Sequence, residues 1–168
     1  MRRIISMLLQ NEAGALARVA GMFAARGYNI DSLTVAATHD PSVSRLTLVT
    51  SGDQAVIEQI IKQSRKLVDV LDIADLTSRE HLECELLIVK VGIASGKGPQ
   101  LAACVRRHAR AVLYDEGGAT RTIQFTGSGP ELDEFLTELV DLADILELAR
   151  SGVAALDCGE RILAEVAA

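Results

Sequence analysis

Two glycine-rich stretches, three histidines and three cysteines are the residues of this 168-residue sequence whose types are suited to chemistry, so their spacing decides what they can do. A phosphate-binding loop needs four residues between its first glycine and a Gly-Lys pair, then Ser or Thr. "GIASGKG" (92–98) encloses three residues between Gly92 and Gly96 and follows Lys97 with Gly98, so it reads as a plain loop. "GSGPEL" (127–132) has Leu132 where a dinucleotide fingerprint needs its last glycine, and reads as the start of a helix at Pro130. His39, His81 and His108 fall in a turn, at a strand start and on a helix stripe, without neighbours that suggest metal ligation. Cys84, Cys104 and Cys158 lie far apart and form no Cys-x-x-Cys pair, which leaves a zinc or redox motif without its spacing. Buried thiols are the expectation; Cys104 shares a stripe with Leu101, Val105 and His108, where a small hydrophobe suits packing. No catalytic residue and no metal ligand is assigned.

The stretch "QNEAGALARVAGMFAARGYNI" (10–30) offers something different. A helix start leaves up to four backbone N–H groups without partners, aimed at whatever precedes the first turn. The helix dipole favours a carboxylate there by about 0.3–1 kcal/mol, and each charge-assisted bond to an N–H adds about 1.5–3 kcal/mol. Gly14 has no side chain to block that backbone. Asn11 and Asn29 present amides able to meet an ammonium and a carboxylate, while Ala15, Leu16 and Ile30 make an apolar wall. The implied ligand is a small α-amino acid with a hydrocarbon side chain. The same residues also fit a plainer account, in which Gly14 is a cap, Asn11 a turn former and Asn29 the entry to a strand.

The elements that position these residues follow from periodicity. "RRIISMLL" (2–9) is a short apolar run closed by a polar turn and predicts a strand. Leu16, Val19, Ala20 and Phe23 recur at i, i+3, i+4 and i+7 as one buried helix face, which Gly27 ends. "NIDSLTVAAT" (29–38) and "VSRLTLVT" (43–50) are strands around "HDPS". A helix capped from Ser51-Gly52-Asp53, with Val56, Ile57, Ile60 and Ile61 inward, precedes a strand over 67–76. The order β-α-β-β-α-β then recurs: a strand over 81–91; a helix from Pro99; a hairpin of "AVLYDE" and "TRTIQFT" around Gly117-Gly118; a helix bearing Leu132, Phe135, Leu136 and Leu139; and a strand over 144–150. The fold class is α+β, two tandem ferredoxin-like βαββαβ domains over 1–76 and 77–168, with a boundary in "LTSREH" (76–81). Each antiparallel sheet has helices on one face only, so the other face and the edges are expected to be bare and to meet a partner, which points to a homo-oligomer or a complex.

Composition excludes several classes. Hydrophobic residues make up 49% and charged residues 24%, which is ordinary for a folded globular chain. Residues 1–76 carry eight charges of each sign and 77–168 carry the whole net charge of −6, with no basic cluster for a phosphate backbone. The strand "VSRLTLVT" lacks the aromatics on which RNA-recognition sheets stack bases. Nucleic acid is therefore not an expected partner. Neither is a membrane, since no apolar run nears the roughly 20 residues needed to span one, and the polar "QNE" stops the opening apolar run too early for a signal peptide. The expected location is the cytoplasm.

"NEAGALARVAGMFAARGYNIDSLTV" resembles the ACT domain, a small-molecule-binding module whose pattern Gly-x-Leu-x-x-Val, then Phe, then Gly-x-Asn-Ile is filled by Gly14, Leu16, Val19, Phe23, Gly27, Asn29 and Ile30. With "DPSVSRLTL", "KLVDVLDIADL" and "ARSGVAAL", the chain is similar over nearly its whole length to the small regulatory subunits of acetolactate synthase, most strongly over 1–76 and 147–156. The resemblance implies a non-catalytic subunit that activates a separate large catalytic subunit and confers feedback inhibition by valine in branched-chain amino acid biosynthesis. Thiamine diphosphate, FAD and Mg²⁺ would belong to that large subunit, with no cofactor in this chain. It further implies a homodimer whose ACT sheets join edge to edge, with valine between Asn11, Gly14, Ala15 and Leu16 of one chain and Asn29 and Ile30 of the other. The alternatives are a freestanding ACT-type amino-acid sensor, for which no effector domain is visible, and a small ferredoxin-like enzyme, for which no reactive constellation is.

Overall fold

The computed structural model describes residues 1–94, 96–114 and 117–164. Its elements run β1 (Arg2–Gln10), α1 (Ala15–Ala25), β2 (Ser32–Ala37), β3 (Val43–Ser51), α2 (Gln54–Ser64), β4 (Val70–Asp75), β5 (His81–Gly92), α3 (Gly98–Arg107), β6 (Ala111–Tyr114), β7 (Thr120–Gly127), α4 (Gly129–Val140), β8 (Asp144–Arg150) and β9 (Ala154–Asp157). The β-α-β-β-α-β order expected from periodicity is present twice. Both sheets are antiparallel, ordered β2-β3-β1-β4 and β6-β7-β5-β8. Of the expected hairpin strand "AVLYDE", the last two residues, 115 and 116, lie outside the described residues.

The chain divides into two units, Met1–Leu82 joined by the described residues from Val153 onward, and Glu83–Gly152. In the first, Ile5, Met7 and Leu9 of β1 and Leu46 and Leu48 of β3 point to one side, as strand alternation requires. They pack on Val19, Met22 and Phe23 of α1 and on Ile57 and Ile60 of α2. Asp53 caps α2, its side chain accepting from Val56 N at 2.9 Å. In the second unit Leu87, Val89, Val91, Ile123 and Phe125 from the sheet meet Leu101, Cys104, Val105, Leu132, Phe135 and Leu139 from α3 and α4. Cys104 is fully buried, in the role of small hydrophobe expected for it, whereas Cys84 and Cys158, expected to be buried as well, are exposed. Ser128 and Glu131 form a capping box at the start of α4.

Two further expectations need correction. The buried face of α1 is Ala15, Val19, Met22 and Phe23, whereas Leu16 is 39% exposed. A stripe that includes Ala15 and Met22 lies one position round the helix from one that starts at Leu16, and packing on the sheet and α2 selects it. The second correction concerns the outer face of the first sheet, which is not bare. After the left-handed turn at Gly152 (φ 77), Val153 and Ala155 return to cover Ile4, Val49, Ala74 and Leu76. Arg79 fastens the segment by donating to Asp157 at 2.8 Å, and Cys158 N donates to Glu80 O at 2.9 Å. β9 is only four residues long and its inward side chains are small, so it leaves little periodic signal in the sequence.

Candidate functional site

At the amino end of α1 the chain reverses through Gly14, which takes a left-handed conformation (φ 91) and has no side-chain cap for the helix. Ala15 N donates to Glu12 O at 3.2 Å. By helix geometry the next N–H groups, of Leu16 and Ala17, have no intrahelical acceptor and face outward. A cavity of about 300 Å³ opens at this corner, lined by Leu9, Gln10, Asn11, Glu12, Ala15, Leu16, Val35, Ala36, Ala37 and Ser44.

Strand register explains the hollow. Leu9 pairs with Ser44 and Ser44 with Ala37, so a row across β1, β3 and β2 descends from a large side chain to two small ones. The next row inward, Met7, Leu46 and Val35, is fully apolar. Small residues at the sheet's corner thus leave room beneath the first turn of α1, and Leu16 and Val35 form its hydrocarbon rim.

The electrostatics at this end are set by a residue that sequence reasoning passed over. Arg18 lies one helical turn beyond Gly14, and its Nη1 stands 2.9 Å from where a Cβ on Gly14 would be. The guanidinium is held by Asp69, which accepts from Nε at 2.5 Å and from Nη2 at 2.6 Å. Asp69 is nearly fully buried while Arg18 is 47% exposed, so the charge is fixed from behind and open in front. The hydrogen bond from Arg18 holds the Asp69 carboxyl below its ordinary pKa, and the same contact, with Glu12 nearby, raises that of Arg18. The i, i+4 spacing from Gly14 to Arg18 was readable in the sequence. The partner Asp69, 51 residues away, was not.

Of the residues assigned from the sequence, Asn11, Ala15 and Leu16 line the cavity, and Gly14 borders it. Asn11 donates from Nδ2 to Pro41 O at 2.8 Å, and its backbone N–H donates to Ser42 O at 2.7 Å, tying the cavity floor to the β2–β3 turn. Ala15 is buried, so it offers backbone rather than a wall. Asn29 and Ile30 are not brought to this corner. They follow the carboxyl end of α1, a helix of 11 residues and so about 16 Å long. There Asn29 O accepts from Thr50 Oγ1 at 2.6 Å and Asn29 Nδ2 donates to Asp31 at 2.6 Å, while Ile30 packs on the core. The lining residues missed were Leu9, Gln10, Glu12, Val35, Ala36, Ala37 and Ser44; Gln10 and Glu12 adjoin the helix start in sequence, whereas Val35, Ala36, Ala37 and Ser44 come beside it only through strand register.

The comparisons with known proteins bear on both units. Residues 5–72 match the family model described as the AHAS small subunit-like ACT domain, and residues 84–159 match that of the small subunit of acetolactate synthase. The acetolactate synthase isozyme 3 small subunit of Salmonella typhimurium is 48% identical over 163 residues, covering 97% of this chain and 99% of that one. The protein of the same name from Escherichia coli is equally similar, 48% over 163 residues with the same coverage. Among solved structures, the acetolactate synthase small subunit of Thermotoga maritima superposes with a TM-score of 0.84 at 31% identity, covering 96% of this chain and 99% of that one. With both units matched and nearly every residue aligned to these relatives, the chain belongs to the family of acetolactate synthase small subunits.

Proposed function

We propose that this chain is the regulatory, non-catalytic subunit of an acetolactate synthase, and that it activates a separate large subunit and makes it sensitive to valine. The observation that carries the reading is the hollow under the uncapped first turn of α1. It is lined by Asn11, Glu12, Leu16, Val35 and Ala37, it lies at a helix start that no side chain caps, and Arg18 stands beside Gly14 at that same start. An α-amino acid needs three surfaces: donors for its carboxylate, acceptors for its ammonium and a hydrocarbon wall for its side chain.

The second half of the proposed site comes from a second copy. β2 is an edge strand whose sequence, "SLTVAA", has no proline or charge to blunt pairing. Antiparallel pairing of β2 with β2 across a two-fold axis sets the beginning of one strand beside the end of the other. Asn29 and Ile30, which precede β2, then lie next to Ala36 and Ala37 of the other copy, at the rim of its cavity. Two residues about a helix length apart in one chain become neighbours in the dimer, and the pocket closes around valine from both sides.

Inhibition then requires that valine bind the inhibited arrangement of the complex more tightly than the active one. Thiamine diphosphate, FAD and Mg²⁺ belong, on this reading, to the large subunit, which condenses pyruvate with pyruvate or 2-oxobutyrate. The test is reconstitution: purified chain mixed with the large subunit should raise acetolactate formation several-fold, and added valine should lower it. An unchanged rate on mixing, or a raised rate that valine leaves untouched, overturns the corresponding half of the proposal.

A further inference from the structure

In the second unit α3 and α4 bring together Cys104, His108 and Glu138, whose donor atoms all lie within 4.8 Å of one another. Cys104 and His108 are one helical turn apart, and Glu138 faces them from α4. The Cys104 thiol donates to Glu138 Oε2 at 3.2 Å, and His108 Nε2 stands 3.5 Å from Oε1. That second separation is too long for a good hydrogen bond. His108 Nε2 is buried and has no hydrogen-bond partner among the described residues.

The imidazole is also held in direction. Its ring meets Phe125 and Phe135 edge-on, with centroids 5.4 and 4.9 Å away, which leaves Nε2 aimed at the carboxylate. A buried ring nitrogen fixed by two aromatics and left without a partner is unusual, because such atoms cost free energy unless satisfied. Tetrahedral coordination with metal–sulfur and metal–nitrogen or –oxygen bonds of the usual length separates ligand atoms by about 3.3–3.5 Å. The His108 Nε2–Oε1 separation of 3.5 Å already matches that spacing, and Cys104 Sγ lies 3.2 Å from the other oxygen of the same carboxylate.

We propose that Cys104, His108 and Glu138 form a site for one divalent ion of the zinc class, bound through Sγ, Nε2 and Oε1 with the fourth position left to water. Thiolate and imidazole select such an ion over Mg²⁺ or Ca²⁺, which take oxygen ligands. Arg107 donates to Oε2 of Glu138 at 2.6 Å, which leaves Oε1 for the metal and fixes the carboxylate as an outer partner does. Burial and the neighbouring carboxylate push the Cys104 thiol up to about 11, so its proton passes to solvent as the sulfur–metal bond forms. His108 and Glu138 are partly exposed, which gives the ion an entry path.

The test uses the tag-free full-length chain, stripped with chelator and titrated with Co²⁺. A near-ultraviolet thiolate-to-cobalt band and the visible bands of a tetrahedral ion should saturate at one ion per chain and vanish on adding Zn²⁺. The Cys84→Ser/Cys158→Ser double variant should behave as the parent, because both of those cysteines are exposed and neither belongs to the cluster. Cys104→Ser should lose the thiolate band, while Glu138→Gln and His108→Gln should keep it at about tenfold or more weaker affinity. Circular dichroism establishes which variants fold, and if Cys104→Ser does not, the other two decide. The proposal falls if the parent shows no thiolate band, if the band persists in folded Cys104→Ser, or if neither Glu138→Gln nor His108→Gln weakens binding.

Discussion

Replacing Gly14 by aspartate sets a carboxylate where the proposed effector's own carboxylate should sit. Its Cβ would stand 2.9 Å from Arg18 Nη1, so the guanidinium that Asp69 holds must shift to admit it. Backbone conformation resists too: at φ 91 a side chain costs about 1–2 kcal/mol. The charge then acts on the ligand. It draws the Arg18 guanidinium and occupies the outward N–H groups of the first turn, so valine loses one charge-assisted bond of about 1.5–3 kcal/mol. At about 1.4 kcal/mol per decade that is roughly a 10- to 150-fold weaker affinity. Gly14→Ala separates the two effects, since it shares the backbone cost and adds no charge. Calorimetry of valine binding to the purified chain, beside acetolactate formation in the reconstituted complex, reads both. The reasoning fails if Gly14→Asp binds valine as tightly as the parent, or if Gly14→Ala weakens it to the same extent.

Three other outcomes follow from the same geometry. Asn29→Ala, whose side chain is exposed and bonded locally to Asp31, should leave folding intact and weaken valine binding by about tenfold, as expected for one lost hydrogen bond to a charged group; an unchanged calorimetric affinity would remove Asn29 from the site. Val35→Lys, near the middle of the β2 edge, would put a charged side chain on the strand that pairs and should shift the chain toward monomer in light scattering, whereas a dimer of undiminished stability would locate the contact elsewhere. Asp69 is kept below its ordinary value of 3.8 by Arg18, so its contribution is present above that value and lost as pH falls through its lower folded pKa. Denaturant unfolding at about pH 5 and about pH 3 should therefore show Asp69→Asn losing less stability on acidification than the parent, and equal losses would mean that the ion pair does not stabilise the fold.

Much of the fold was legible because each unit repeats a strong local alternation. β1 and β3 are apolar enough to read as strands, and α2 carries both its cap Asp53 and its stripe Ile57 and Ile60. Failures came where tertiary packing chose between equal local options. Leu16 and Met22 are both consistent with an apolar stripe on α1, and only tertiary packing, which takes Met22 into the core, decides that Leu16 faces out. The returning segment at Val153 and Ala155 was missed for the related reason that two small inward residues carry little periodicity. For the cavity, the helix-start half was visible as Asn11 and Gly14, whereas Ser44, Ala37 and Val35 became part of it only through register. Cys104 and His108 show the converse. Their i, i+4 spacing was visible, but Glu138, 34 residues from Cys104, needed the packing of α4 on α3.

The placement of the cavity also bears on how large an effect one small molecule can have. Moving a two-state equilibrium from 1:99 to 99:1 takes about 5.5 kcal/mol of differential binding. A single free amino acid that gains or loses one or two charge-assisted contacts between states supplies about 1.5–3 kcal/mol per contact, which by itself leaves a substantial active population. A two-fold pairing at β2 changes this, because each proposed pocket would take its second wall from the other copy. The same rotation of one sheet against the other then tightens or loosens both pockets together, and two effector molecules act on one equilibrium. Arg18, Asp69 and the uncapped turn at Gly14 would remain fixed within each chain, while the wall bearing Asn29 and Ile30 moves relative to them. A rigid anion-binding corner facing a mobile apolar wall converts a change of sheet orientation into a change of affinity, and by reciprocity a change of occupancy into a change of orientation.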